Sequence, residues 1–167
     1  MIDFSNIPNL VKEMKPHFFG NLNAPKEHFP TIQEIHNWMD FLDDGDIHLK
    51  PGVRIFEMHR LQNYDFCPIV LKDLRAALGA YPEMKDRNIV CFLPHDRFVD
   101  GYNWHDDKFH LVSINLVGDT TGYFRDGSEQ RMTPGDCMLI PEGLEHTVKG
   151  EDMRFTASLC AIPPRKK

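Results

Sequence analysis

The chain has 167 residues, with 19 basic against 25 acidic side chains, a formal net charge of −6 and 41% hydrophobic residues. Such a length and composition fit a single domain that can bury a core without staples. The acidic balance excludes a nucleic-acid grip built on net charge, and apolar runs of about five residues fall far short of the roughly 20 a membrane helix needs.

Residues 1–30 read as irregular. The stretch Val11-Lys12-Glu13-Met14 has room for one helical turn, and Pro16, Pro25 and Pro30 break the rest into loops. The start, Met1-Ile2-Asp3-Phe4-Ser5, has no basic segment followed by an apolar one, so no signal peptide is expected. Thr31 opens the first clear helix. Glu34 stands three residues on, where each side chain can satisfy a backbone N–H of the other. Ile32, Ile35, Met39 and Leu42 follow at helical spacing, and Asp43-Asp44-Gly45 ends the run. A short strand, Val53–Met58, comes next. A second helix is expected from Pro68 to Leu78, with Leu71, Leu74 and Leu78 as its stripe and Gly79 as its C-cap.

From residue 88 the period changes from 3.6 to 2. Asn88–Leu93, Phe109–Val117, Tyr123–Arg125, Cys137–Ile140 and Met153–Ile162 read as strands. Turn signals separate them at Asp100-Gly101, Gly118-Asp119, Asp126-Gly127, Pro134-Gly135 and Glu142-Gly143. The expected fold is mostly β with N-terminal helices: a helical layer (residues 1–85) on an antiparallel jelly-roll barrel (residues 86–162), all within one domain. The cysteines Cys67, Cys91, Cys137 and Cys160 are widely spaced, with no C-x-x-C, and suit a reduced, cytoplasmic setting.

The most specific pattern is Pro134-Gly135-Asp136, four residues, Pro141, one residue, Gly143, two residues, His146. It dictates a turn, a short apolar strand, a second turn and a histidine at the start of the next strand. It resembles the second sequence motif of the cupin superfamily, whose histidine binds metal inside a small jelly roll. Upstream lies Gly101-Tyr102-Asn103-Trp104-His105-Asp106-Asp107. In an extended chain His105 and Asp107 share a face. With His146 they make two imidazoles and one carboxylate, the set that holds non-haem Fe(II) and leaves positions open. By the same parity Asp106 and His110 fall on the opposite face, which gives His110 a surface or supporting role. The remaining histidines (His17, His28, His36, His48, His59 and His95) have no partner at ligand spacing and read as structural or exposed.

The stretch from His105 to Gly118 resembles the JmjC-type and cupin-like 2-oxoglutarate oxygenases, in particular the ribosomal-oxygenase and asparaginyl-hydroxylase branch. That branch has His-x-Asp, then a strand, then a glycine 13 positions after the histidine, where Gly118 stands here. The resemblance implies Fe(II) on His105, Asp107 and His146, 2-oxoglutarate as cosubstrate, and hydroxylation of a substrate C–H bond. It also exposes a departure. The branch places a basic residue two positions after the glycine to hold the distal carboxylate of 2-oxoglutarate, and here that position is Thr120. A buried carboxylate without a cation is costly, so Arg154 or Arg125 is expected to substitute. Related oxygenases outside the branch carry an arginine about ten residues beyond the distal histidine, with a serine two further on. Ser158 matches that serine, but position 156 is threonine.

Ser113 and Asn115 continue the face of His105 and Asp107 along their strand, pointing into a polar interior or out to solvent. Tyr102 and Asn103 can line the site, and Trp104 suits packing or a cavity wall. The other readings are a cupin metalloenzyme that does not use 2-oxoglutarate, such as a dioxygenase or isomerase, and a non-catalytic cupin binding module. The substrate is open between a small molecule and a peptide or protein side chain. The sequence ends after its last expected barrel strand, without the C-terminal parts of larger ribosomal oxygenases, which makes a small molecule a serious alternative to a protein substrate. A homodimer is compatible with the sequence and not required by it.

Overall fold

Thr31 closes the capping box that its spacing to Glu34 requires. Its hydroxyl accepts from the Glu34 amide at 3.2 Å, and Glu34 Oε2 accepts from the Thr31 amide at 2.7 Å. In the computed structural model, which describes residues 2–50, 52, 54–84, 88–94, 103–150 and 153–160, this box starts helix α2 (Ile32–Met39). Ile35, Trp38 and, just beyond, Leu42 are buried. Helix α3 (Ile69–Leu78) buries Val70, Leu71, Leu74 and Leu78, with Pro68 as its N-cap. Gly79 is its C-cap but keeps right-handed φ (−59°), so the helix ends without using glycine's extra freedom. The expected early turn is a 3₁₀ turn over Val11–Glu13, and a short helix not expected from the sequence, α1 (Ile7–Leu10), runs into it.

Among the described residues, ten strands form two antiparallel sheets. In chain order they are β1 (His17–Asn21), β2 (Ile47–Lys50), β3 (Ile55–Met58), β4 (Asn88–Pro94), β5 (Leu111–Val117), β6 (Thr120–Phe124), β7 (Glu129–Met132), β8 (Asp136–Ile140), β9 (His146–Lys149) and β10 (Phe155–Cys160). The large sheet runs β1-β8-β5-β10-β4-β3-β2 and the small one β7-β6-β9. The two sheets make a jelly roll. Strands β1 and β2 were not expected from the sequence. Together with β3 they show that residues before 85 supply three strands of the large sheet as well as the helices. Two signals concealed β1 and β2: flanking prolines around the first, and an exposed face on the second (Leu49 is 48% exposed).

The large sheet has two different faces, and the period-2 pattern sets both. On β10, Phe155, Ala157 and Leu159 join a core with Ile35, Trp38, Leu71, Leu74 and Leu78 from α2 and α3. Ile89, Cys91 and Leu93 of β4 and Val112, Ile114 and Leu116 of β5 do the same. Trp38 stacks on Phe66 at 5.5 Å and meets Phe155 edge-on at 5.9 Å. A Phe155-sized side chain contributes about 1.5–3 kcal/mol when fully buried. The opposite face looks between the sheets. There a smaller apolar cluster (Val90, Leu111, Phe124, Met132, Met138, Ile140 and Cys160) closes part of the barrel. The remainder is open, and it holds the site.

Candidate metal centre

The site is assembled by main-chain hydrogen bonds between two loops that are distant in sequence. The His105 amide donates to the His146 carbonyl at 3.0 Å, and the His146 amide donates to the His105 carbonyl at 2.8 Å. This antiparallel bridge adds His105 to the outer side of β9. The Gly143 amide then donates to the Asp107 carbonyl at 2.9 Å. Gly143 lies at φ +79°, a conformation that disfavours any side chain, and the turn uses it to present that amide. The Pro141-x-Gly143-x-x-His146 spacing therefore has a mechanical role: it holds one ligand-bearing segment against the other.

The side chains converge. One ligand atom from each of His105, Asp107 and His146 lies within 4.8 Å of the others. His146 Nε2 stands 3.7 Å from Asp107 Oδ2, and the two imidazole centroids are 4.5 Å apart. Each imidazole is fixed in the same way. His105 Nδ1 is 2.8 Å from the Asn103 carbonyl, and His146 Nδ1 is 2.8 Å from the Leu144 carbonyl. A carbonyl only accepts, so each Nδ1 must be the donor, which leaves both Nε2 lone pairs for a cation. Burial pushes the His146 imidazole below its ordinary pKa, which keeps it neutral at pH 7. Two imidazole nitrogens and one carboxylate oxygen are a donor set that fits a divalent first-row metal.

The neighbouring candidates are engaged otherwise. Asp106 touches the edge of the cavity but pairs with Lys108. His110 Nδ1 accepts the Glu142 amide at 2.9 Å, pinning the same turn that carries Gly143. Trp104 is 39% exposed and carries the Arg125 guanidinium 4.3 Å above its ring. Arg125 also pairs with Glu145 at 2.8 Å, so its charge is committed on the outer rim, and it is not among the residues lining the cavity. Tyr102 lies outside the described residues.

A cavity of about 510 Å³ opens from the triad into the barrel. The odd face of β5 points inward, and Ser113 lines the cavity. Asn115, two residues on, is fully buried but serves the backbone. Its Nδ2 donates to the Gly118 carbonyl at 2.5 Å and the Met132 carbonyl at 3.2 Å. The registers of β5 and β10 slip just beyond it, between Phe155 and Thr156: Asn115 still pairs with Thr156 in the row that Ser113 begins, and the extra residue, Leu116, follows it. Thr120 is buried, and its Oγ1 has no hydrogen-bond partner; it does not line the cavity either.

Arg154, just before β10, does line it, together with Thr156, Ser158 and Cys160 from one face of that strand. Arg154 is 4% exposed, and its Nη1 is 3.5 Å from the Gly150 carbonyl. Two glycines make space for it. A Cβ on Gly150 would stand 2.5 Å from Arg154 Cδ, and one on Gly118 (φ +68°) would stand 2.5 Å from the Met153 carbonyl and 3.3 Å from Arg154 Cα. Gly118 is thus explained by the close passage of β10 over the turn after β5.

The opposite wall was not expected from the sequence. Lys50, Ile55, Glu57 and His59 line it. His59, read as structural, sits 3.3 Å from Glu57 through Nε2. The available signal was parity: Ile55 and Glu57 alternate along β3 and His59 follows just past its end, and a carboxylate in the middle of such a run marks a face that is not simply core.

No family model and no curated protein matches the sequence. Solved structures do match in shape. The Escherichia coli ribosomal oxygenase YcfD superposes with a TM-score of 0.69 at 12% identity, covering 99% of this chain and 54% of that one. A second structure of YcfD, in complex with cobalt and 2-oxoglutarate, gives 0.64 at 13% identity, covering 96% and 52%. The chain shares the jelly-roll fold of that protein. It spans about half the length of that protein. Among the described residues no helix is long and apolar enough to cross a membrane.

Proposed function

We propose that the chain is an Fe(II)- and 2-oxoglutarate-dependent oxygenase that hydroxylates a small molecule or a peptide or protein side chain in the cytoplasm. The observation that carries this reading is the convergence of His105, Asp107 and His146, with both imidazoles locked by Nδ1–H donation to the carbonyl two residues before. These three residues would hold the metal. With 2-oxoglutarate and dioxygen bound, Fe(II) supplies oxidative decarboxylation coupled to insertion of oxygen into a C–H bond.

The protein's own contribution is placement. Arg154 is a buried cation on the cavity wall, fitted to receive the distal carboxylate of 2-oxoglutarate, with Thr156 and Ser158 beside it as hydroxyl donors. It would supply the charge that Thr120 lacks. Phe92, Phe109, Leu111 and Ile140 give the cavity apolar walls that exclude water. The cobalt and 2-oxoglutarate bound by YcfD support the reading by analogy of fold.

The test is succinate release from Fe(II), 2-oxoglutarate and ascorbate by the native chain and by Asp107→Ala. The expected result is uncoupled turnover that vanishes in the variant. A folded native chain that binds metal yet gives no succinate would return the assignment to the second reading, a cupin metalloenzyme without 2-oxoglutarate, which Thr120 favours. A chain that takes up no metal would leave a binding module.

A further inference from the structure

The cavity has a second polar pole, built from charges the metal chemistry does not need. Glu57 projects from β3 into the cavity with its side chain 15% exposed. Its Oε1 lies 3.5 Å from Lys50 Nζ, and its Oε2 lies 3.3 Å from His59 Nε2. Lys50 belongs to the neighbouring strand β2, and its side chain is 49% exposed at the mouth. The surroundings are apolar: Ile55, Val90, Phe92 and Pro94 line the same wall. A half-exposed ion pair adds little to stability, and sinking a carboxylate among apolar groups is costly. Its placement on a cavity wall therefore points to a ligand.

The chemistry of that ligand follows from the pair. A monocation would be drawn to Glu57 and repelled by Lys50, and a monoanion the reverse. A neutral ligand would draw on neither charge. A molecule with an ammonium and a carboxylate on adjacent atoms meets both at once. We propose that Glu57 and Lys50 form the subsite for the ammonium and carboxylate of a free α-amino acid, so that its side chain occupies the cavity shared with His105, Asp107 and His146. The cavity volume, about 510 Å³, lies in the range of small-ligand sites. Calling that amino acid the hydroxylation substrate rests on the oxygenase reading; the binding claim does not.

The experiment is calorimetric titration of the Ni(II)- and 2-oxoglutarate-treated chain with each protein-forming L-amino acid, its N-acetyl derivative and its amide. At least one free amino acid is expected to bind saturably, with both derivatives weaker by about ten-fold or more. Glu57→Gln and Lys50→Met should each weaken it about ten- to a hundred-fold, with Ni(II) and 2-oxoglutarate binding unchanged. If Glu57→Gln fails to fold, Lys50→Met carries the same test from the other charge. Retained Ni(II) and 2-oxoglutarate binding with no amino acid bound, or derivatives bound as tightly as the free amino acid, would overturn the subsite and leave the oxygenase reading standing. Amino-acid binding that depends on Glu57 and Lys50 in a chain that takes up neither Ni(II) nor 2-oxoglutarate would uphold the subsite and overturn the oxygenase reading.

Discussion

His105 and His146 exchange both of their backbone hydrogen bonds, at 3.0 and 2.8 Å, so the two imidazoles rise from a single antiparallel pair although 40 residues separate them. The metal-ligand geometry is therefore set by main chain before any side chain rotates. Pre-organisation of this kind lowers the cost of closing a ligand set around an ion.

The turn that closes this pair is one place to break it. Gly143→Ala would strain the φ +79° backbone whose amide holds the Asp107 carbonyl. A loss of about 1–3 kcal/mol in stability is expected, with a weaker metal site. Denaturant unfolding and metal titration of the variant check both. Unchanged metal affinity would mean that Asp107 does not depend on this bond.

Arg154 separates cosubstrate from metal. Arg154→Met should raise the 2-oxoglutarate concentration needed for half-maximal binding about ten- to a hundred-fold, while metal affinity stays the same. Gly150→Ala, whose Cβ would stand 2.5 Å from Arg154 Cδ, should move in the same direction without removing the charge. Thermal shift with and without 2-oxoglutarate on the metal-loaded chain measures both.

The capping box is independent of the site. Thr31→Ala removes the hydroxyl that accepts the Glu34 amide and should cost about 1 kcal/mol, read as a fall in the melting temperature of about 2–4 °C. Metal binding should not change. A shift at the site would show that α2 transmits strain through the core it shares with β10.

The buried thiols give an alkaline limit. Burial pushes Cys67 up to about 11 and Cys160 up to about 12, from an ordinary value of 9.0. Both folded values are raised, so the stability they contribute is complete below pH 9. It is lost as the pH rises towards 11–12, because the unfolded chain ionises first. Each thiol should add about 1.4 kcal/mol per pH unit to the loss in that window. Comparing the pH dependence of unfolding in the native chain and in Cys67→Ala checks the slope. The same burial should leave all four cysteines slow towards a thiol reagent at pH 8 until denaturant is added.

What was legible in the sequence was local in origin. Thr31 and Glu34 cap a helix because they are three residues apart, and His105 and Asp107 share a face because they are two apart. Both facts survive any tertiary arrangement. The turn from Pro134 to His146 was legible for the same reason, since its glycines and prolines fix the backbone themselves. Strands β1 and β2 were not, because their pairing partners, Asp136–Leu139 and Ile55–Met58, supply an order that their own residues do not announce. Asn115 shows the limit of parity: it pairs with Thr156 in the row of Ser113, as its spacing requires, yet its amide is spent on the Gly118 and Met132 carbonyls. Arg154 and Arg125 were both candidates, and strand parity with Thr156 and Ser158 put Arg154 ahead without deciding between them. Only packing tells them apart: two glycines open space for the first, while Trp104 and Glu145 hold the second at the rim.

Titration of the metal-free chain with Co(II), followed by its visible absorption, tests the central claim most directly. The account predicts one Co(II) per chain, with binding abolished separately by His105→Ala, Asp107→Ala and His146→Ala in variants that keep their fold. Co(II) binding that survives all three substitutions, or no binding by the native chain, would contradict it.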